Sequence, residues 1–68
     1  MILYRLLTGP DDSVFCHKVT AALNKGWLLQ GPPMLTFDPA QGRVICGQAV
    51  MKDVKNVDYE PEMKLSDY

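Results

Sequence analysis

The chain opens on a nearly continuous apolar run, Met1 to Leu7, broken only by Arg5 and closed by Thr8-Gly9-Pro10. Such a run predicts a strand, ended where proline removes a backbone donor. Alternation places Ile2, Tyr4 and Leu6 on one face and Leu3, Arg5 and Leu7 on the other. Neither face is polar, so the pattern does not say which one turns inward. The period then changes. Phe15, Val19, Ala22 and Leu23 fall at i, i+4, i+7 and i+8, one apolar stripe of a helix over about Asp12 to Lys25. Asp11 or Asp12 supplies a cap at its start, and Gly26 stands where a helix commonly ends in a left-handed residue.

A second extended segment, Trp27 to Phe37, is interrupted by Gly31-Pro32-Pro33. Prolines cannot donate to a central ladder, which predicts an edge strand, a bulge or two short pieces. Asp38-Pro39 through Gly42 reads as a hairpin loop of four to five residues, leading into a third strand from Arg43 to Val54, antiparallel to the second. There Ile45, Gly47, Ala49 and Met51 alternate with Val44, Cys46, Gln48 and Val50. Both sets are mostly apolar, as in a strand covered on both sides. From Lys55 the pattern fades into charges, isolated apolar residues and Pro61, which predicts a mobile tail or an extended arm.

The expected fold is therefore α+β, in the order β-α-β-β. One helix packs on one face of a small, three-stranded, largely antiparallel sheet, with a domain over residues 1–54 and a disordered tail over 55–68. A single helix leaves the second sheet face uncovered. A twin copy is the simplest cover, so a homo-oligomer, a dimer first, is expected. Leu3, Leu7, Ile45, Ala49 and Met51 are the expected contact residues. A chain of 68 residues gains little from its own core, which also favours association.

Charge and chemistry add mainly exclusions. The net charge of −1, with cations spread singly, gives no basic patch for nucleic acid, and no apolar run is long enough to span a bilayer. Two cysteines, a start without a basic, cleavable leader and no paired zinc spacing read as a cytoplasmic protein with reduced thiols, no metal and no cofactor. Cys16-His17 is the only adjacent reactive pair. Successive helical residues point about 100° apart, so Cys16 is expected as a small buried hydrophobe and His17 as a solvated side chain. Asp11, Asp12 and Asp38 read as caps and turn residues rather than as an acid–base pair. No phosphate-binding loop, nucleophile elbow or zinc-protease motif occurs, so no catalytic residue is assigned. Tyr59 and Tyr68, each after an aspartate, suit either a short docking motif or a solvated end.

Taken together, "YRLLTGPDD", "F.HKV..ALNKGW.L.G.P" and "V.CGQAV.K" resemble the short bacterial proteins of domain-of-unknown-function family 1737, over about Met1 to Val54. The resemblance rests on Tyr4, Leu6, Thr8, Gly9, Phe15, Val19, Leu23, Gly26, Trp27, Leu29, Gly31, Pro33, Gln48 and Ala49. It implies a small bacterial cytoplasmic α+β domain and brings no activity, cofactor or site residue. Three functions follow as expectations. The first is a non-enzymatic homo-oligomeric interaction or regulatory module, one that assists or regulates a further protein partner. The second is a small-ligand or peptide-binding module with a groove near Trp27, Gly31, Pro32 and Pro33. The third is a small enzyme with its site at a subunit boundary.

Overall fold

The computed structural model describes all residues, 1–68, and its elements follow the expected order. Strand β1 spans Ile2–Pro10, helix α1 Ser13–Asn24, strand β2 Leu28–Asp38 and strand β3 Arg43–Asp53. The sheet is antiparallel throughout, with β3 in the middle and β1 and β2 as its two edges. Strand β1 runs three residues further than its apolar block, because Thr8, Gly9 and Pro10 still pair with Gly47, Cys46 and Ile45. Proline is tolerated there at the end of an edge strand.

Both ends of α1 are set by local chemistry. The Asp12 carboxylate accepts the Val14 N–H at 2.9 Å, satisfying one of the orphan donors of the first turn. At the other end the Gly26 N–H donates to the Leu23 carbonyl, and the Trp27 N–H reaches back to Ala22 at 3.1 Å. That pair of bonds is a Schellman motif, and it requires the left-handed φ of 96° at Gly26. The motif turns Trp27 under the helix, where it is 1% exposed and packs with Leu3, Leu7, Ala22 and Val50. Arg5 lies over the indole ring, 5.4 Å from its centroid, while the indole N–H itself finds no acceptor.

Gly31-Pro32-Pro33 forms a bulge. Gln30 pairs with Ala49 and Met34 with Gly47, so three residues of β2 stand opposite the single Gln48 of β3. Gln48 is buried and uses both amide donors, one to the Gly31 carbonyl at 3.1 Å and one to Ala49 at 3.0 Å. The carbonyl displaced by the bulge thus regains a partner from the strand it left. The hairpin that follows is a four-residue loop, Pro39 to Gly42, closed by Gly42 N–H to the Asp38 carbonyl and by Ala40 N–H to the Asp38 carboxylate.

Residues 55–68 correct the expectation of a disordered tail. They share the core of residues 1–54: Met63, Leu65 and Tyr68 pack against it, and a 3₁₀ turn at Leu65–Asp67 lies against β1. Two lysines fasten the segment. Lys25 donates to the Ser66 carbonyl at 3.2 Å, and Lys52 bridges the main-chain oxygens of Lys25 and Tyr68. The polar composition masked this, because only three well-spaced apolar residues are needed to close the end of so small a core.

Two stability outcomes follow. A Cβ at Gly26 meets nothing closer than the Lys52 Cε at 3.6 Å, so Gly26→Ala is strained by backbone conformation alone. It should cost about 1–2 kcal/mol, read as a drop in Tm of about 4–8 °C per kcal/mol in a domain of this size. Leu65→Ala with Tyr68→Ala should destabilise by about 1–2 kcal/mol for half-buried side chains, with a similar drop in Tm. A loose tail would leave Tm where it was.

Candidate functional site

The register of β1 against β3 decides which apolar face is inside. Leu3, Arg5 and Leu7 lie opposite Lys52, Val50 and Gln48 on the side that carries α1. Ile2, Tyr4 and Leu6 lie opposite Asp53, Met51 and Ala49 on the side without a helix. Of the expected contact residues, Ile45, Ala49 and Met51 therefore share the open face, but Leu3 and Leu7 do not. Each of those two is 3% exposed and belongs to the core beneath α1. Their places on the open face are taken by Ile2, Tyr4 and Leu6, all about half exposed. Only the pairing register could assign them, since both faces of β1 are equally apolar.

Strand β2 completes the open face with Leu28, Gln30, Met34 and Thr36. At its centre is a hollow of about 500 Å³ floored by Gly47, with Leu6 and Met34 on either side. A Cβ at Gly47 would come within 3.6 Å of Met34 and 3.8 Å of Leu6, so the missing side chain is what makes the hollow. The rim carries both signs of charge. Arg43 and Asp38 stand opposite each other at one end, and Asp53 stands at the other, 3.4 Å from both the Lys55 ammonium and the Met1 amino group. The hydrogen bond from Lys55 holds the Asp53 carboxyl below its ordinary range, aided by the charges of both cations.

The groove expected near Trp27 is divided. Trp27 is core and lines no groove. Gly31 and Pro32 are exposed, whereas Pro33 lines a shallow groove of about 380 Å³ between β2 and α1 with Phe15, Val19, Leu29 and Gln48. The helix makes its main strand contacts with β1. Leu29, Leu35 and Phe37, on the helix side of β2, stay more than half exposed. Strand β2 is thus apolar and uncovered on both faces.

The polar residues form no acid–base or nucleophilic constellation. Asp12 is spent on the helix cap, Asp38 on the hairpin, and Asp11 accepts the Cys46 S–H at 3.6 Å. Burial, followed by the neighbouring Asp11 carboxylate, pushes the Cys46 thiol above its ordinary value of 9.0. Cys16 and His17 are both exposed on α1. This corrects the expectation for Cys16: the apolar stripe of α1 is narrow, and Cys16 falls outside it. No three His, Cys, Asp or Glu side chains converge as metal ligands, and no helix is long and apolar enough to cross a membrane.

The two thiols should separate in a titration with a thiol reagent of the native protein. Cys16 should react at once and Cys46 only on unfolding. Because the folded-state pKa of Cys46 lies above its unfolded value, the unfolded chain loses its proton first. Stability should therefore fall as pH rises through about 9, and a Cys46→Ala variant should lose that dependence.

No curated protein and no solved structure matches the chain. The family model described as Domain of unknown function (DUF1737) matches residues 1–53. Those residues hold all three strands, the helix and every residue of the open face named above, and the chain belongs to that family.

Proposed function

We propose that the protein is a homodimeric interaction module whose open sheet faces pack against each other, and that it works in the bacterial cytoplasm, where two unpaired cysteines stay reduced. The observation that carries this reading is the open face itself. A strand of nine residues in a sheet of three spans roughly 30 by 14 Å, a projected area of about 400 Å². Its large side chains, Ile2, Tyr4, Leu6, Leu28 and Met34, are about half exposed or more. That is within the roughly 300–600 Å² of the largest apolar patch on a monomer, a patch that is often functional. A second copy suits the face for two reasons. The hollow over Gly47 offers a receptacle for a large side chain of the opposite sheet, and aligned sheets interdigitate in this way. A two-fold axis that lays the strands antiparallel sets Arg43 of one protomer beside Asp53 of the other, twice.

A second reading has its own observation. The groove between Pro33, Leu29 and the Phe15–Val19 side of α1 is of the volume that small-ligand sites occupy, so a ligand or peptide bound there is the alternative.

Light scattering on a sizing column tests the first reading. The wild type should elute at twice the chain mass at micromolar concentration. Leu6→Glu with Met51→Glu should elute as a folded monomer, since neither side chain belongs to the core cluster. A wild-type monomer, or a dimer indifferent to those two changes, overturns the reading. A saturable shift of Pro33 and Leu29 resonances with a metabolite, absent from Ile2 and Leu6, would favour the groove.

A further inference from the structure

On the helix side of the sheet, away from the open face, three cations meet without a counter-ion. Arg5 rises from β1, Lys18 stands on α1, and Lys25 is the C-cap residue that follows that helix. With Ala21, Ala22 and Ser66 they line a cleft of about 210 Å³. We infer that this cleft binds a phosphate group.

Each cation is held in place by something other than a carboxylate. The Arg5 guanidinium is positioned over the buried Trp27 ring. Among the cations only Lys18, Lys25, Lys52, Lys55 and the Met1 amino group make polar bonds, so all five N–H donors of Arg5 are unspent. Lys18 donates one proton to the Thr8 carbonyl at 2.7 Å, and Lys25 one to the Ser66 carbonyl. Each ammonium keeps two donors free. The ion pairs of the chain involve only Asp53, with Lys55 and with the amino group of Met1. In a protein of net charge −1, three oriented and unneutralised cations around one cleft are a local excess of positive charge.

The helix end does not cancel it. The C-terminal carbonyls that would repel an anion are occupied: Ala22 and Leu23 accept from Trp27, Lys25 and Gly26, and Lys25 accepts from the Lys52 ammonium. The chemistry of the donors selects among anions. A fixed planar guanidinium offers paired N–H bonds to an oxyanion, and two ammonium groups add point charges. A carboxylate brings one negative charge against three positive ones, whereas a phosphate monoester brings about −1.5 to −2 and three acceptor oxygens. The cleft is smaller than the roughly 300–1,000 Å³ of sites that enclose a whole drug-sized molecule. It therefore takes the phosphate group and leaves the rest of a larger ligand outside.

The chain contains one tryptophan, and Arg5 lies on it, so the site has a built-in reporter. The full-length protein is titrated at low, constant ionic strength with inorganic phosphate, glycerol phosphate and acetate. Indole fluorescence and the amide signals of Ala21, Ala22 and Lys25 are followed. Phosphate should give a saturable change at Trp27 and along Lys18–Lys25, and acetate should give none. Binding tighter for glycerol phosphate than for inorganic phosphate identifies the ligand as a phosphate ester, and the reverse identifies free phosphate. Lys18→Gln with Lys25→Gln, both exposed and outside the core, should weaken binding by at least about tenfold, the equivalent of 1.4 kcal/mol. Arg5→Gln should weaken it as much, and Lys64→Gln should not. A response that does not saturate, that acetate reproduces, or that survives the Lys18/Lys25 double change overturns the inference. Because the cleft and the open face lie on opposite sides of the sheet, the mass of the assembly reports on dimerisation independently of this result.

Discussion

Trp27 is the point through which the other parts of this small protein are joined. Its backbone N–H closes α1 by bonding back to Ala22, and its ring then fills the space between that helix and the centre of the sheet, against Val50, which is itself fully buried. The helix, the turn into β2 and the β1–β3 pair are thereby fixed by one residue. Large aromatic rings dominate the burial energy of a core, and here the core cluster holds only five buried apolar side chains. The Schellman turn is what delivers the ring to that place, so the left-handed Gly26 and the buried Trp27 act as a single device. Arg5 covers the outer side of the ring, which explains a cation on the inward-facing side of β1 where an aliphatic residue would be expected.

The size of the helix determines what remains open. The helix lies against β1, and its diameter of about 10–12 Å covers only about two strands spaced about 4.8 Å apart. Strand β2, beyond that reach, keeps Leu29, Leu35 and Phe37 in solvent on one face and Leu28 and Met34 on the other. The tail does not relieve this, because Leu65 and Tyr68 are drawn to the β1 end by the same core. The exposed apolar surface is thus a consequence of chain length and of where the only helix is tethered. It is concentrated on one sheet face and along one edge strand rather than scattered, the distribution that interaction surfaces have.

How much of this was legible in the residues depended on whether a local signal existed. Asp12 and Gly26 mark the helix ends by their own chemistry, and Asp38 to Gly42 marks the hairpin, so those boundaries agree with the structure to within a residue. The orientation of β1 had no such signal. With apolar residues on both faces, only its pairing with β3 could place Leu3 and Leu7 inside and Ile2, Tyr4 and Leu6 outside. Cys16 stays exposed because a stripe of four apolar residues on a short helix buries fewer neighbours than its periodicity suggests. In the tail, composition argued for disorder, whereas Met63, Leu65 and Tyr68 are spaced to reach a nearby core and are secured by Lys25 and Lys52 from elsewhere in the chain. The cationic cleft has no local signal for a related reason. Arg5, Lys18 and Lys25 look evenly scattered along the chain, and the fold is what gathers them.

The Gly31-Pro32-Pro33 bulge bears on which surface can associate. Both outer strands present free edges, and a free edge is open to pairing with another chain. In β2 two consecutive residues without an N–H, set in a stretch that carries three residues against one of its partner, break the row of donors midway. In β1 the edge ends at another proline, Pro10. Along β2, a neighbouring copy therefore meets an interrupted hydrogen-bonding edge but an uninterrupted apolar face. Gln48 makes this arrangement durable, since its buried amide holds the bulge from the central strand and so keeps β2 from straightening. In the dimer proposed above, a face buried against its twin leaves no second copy of itself exposed, which closes the assembly at two chains.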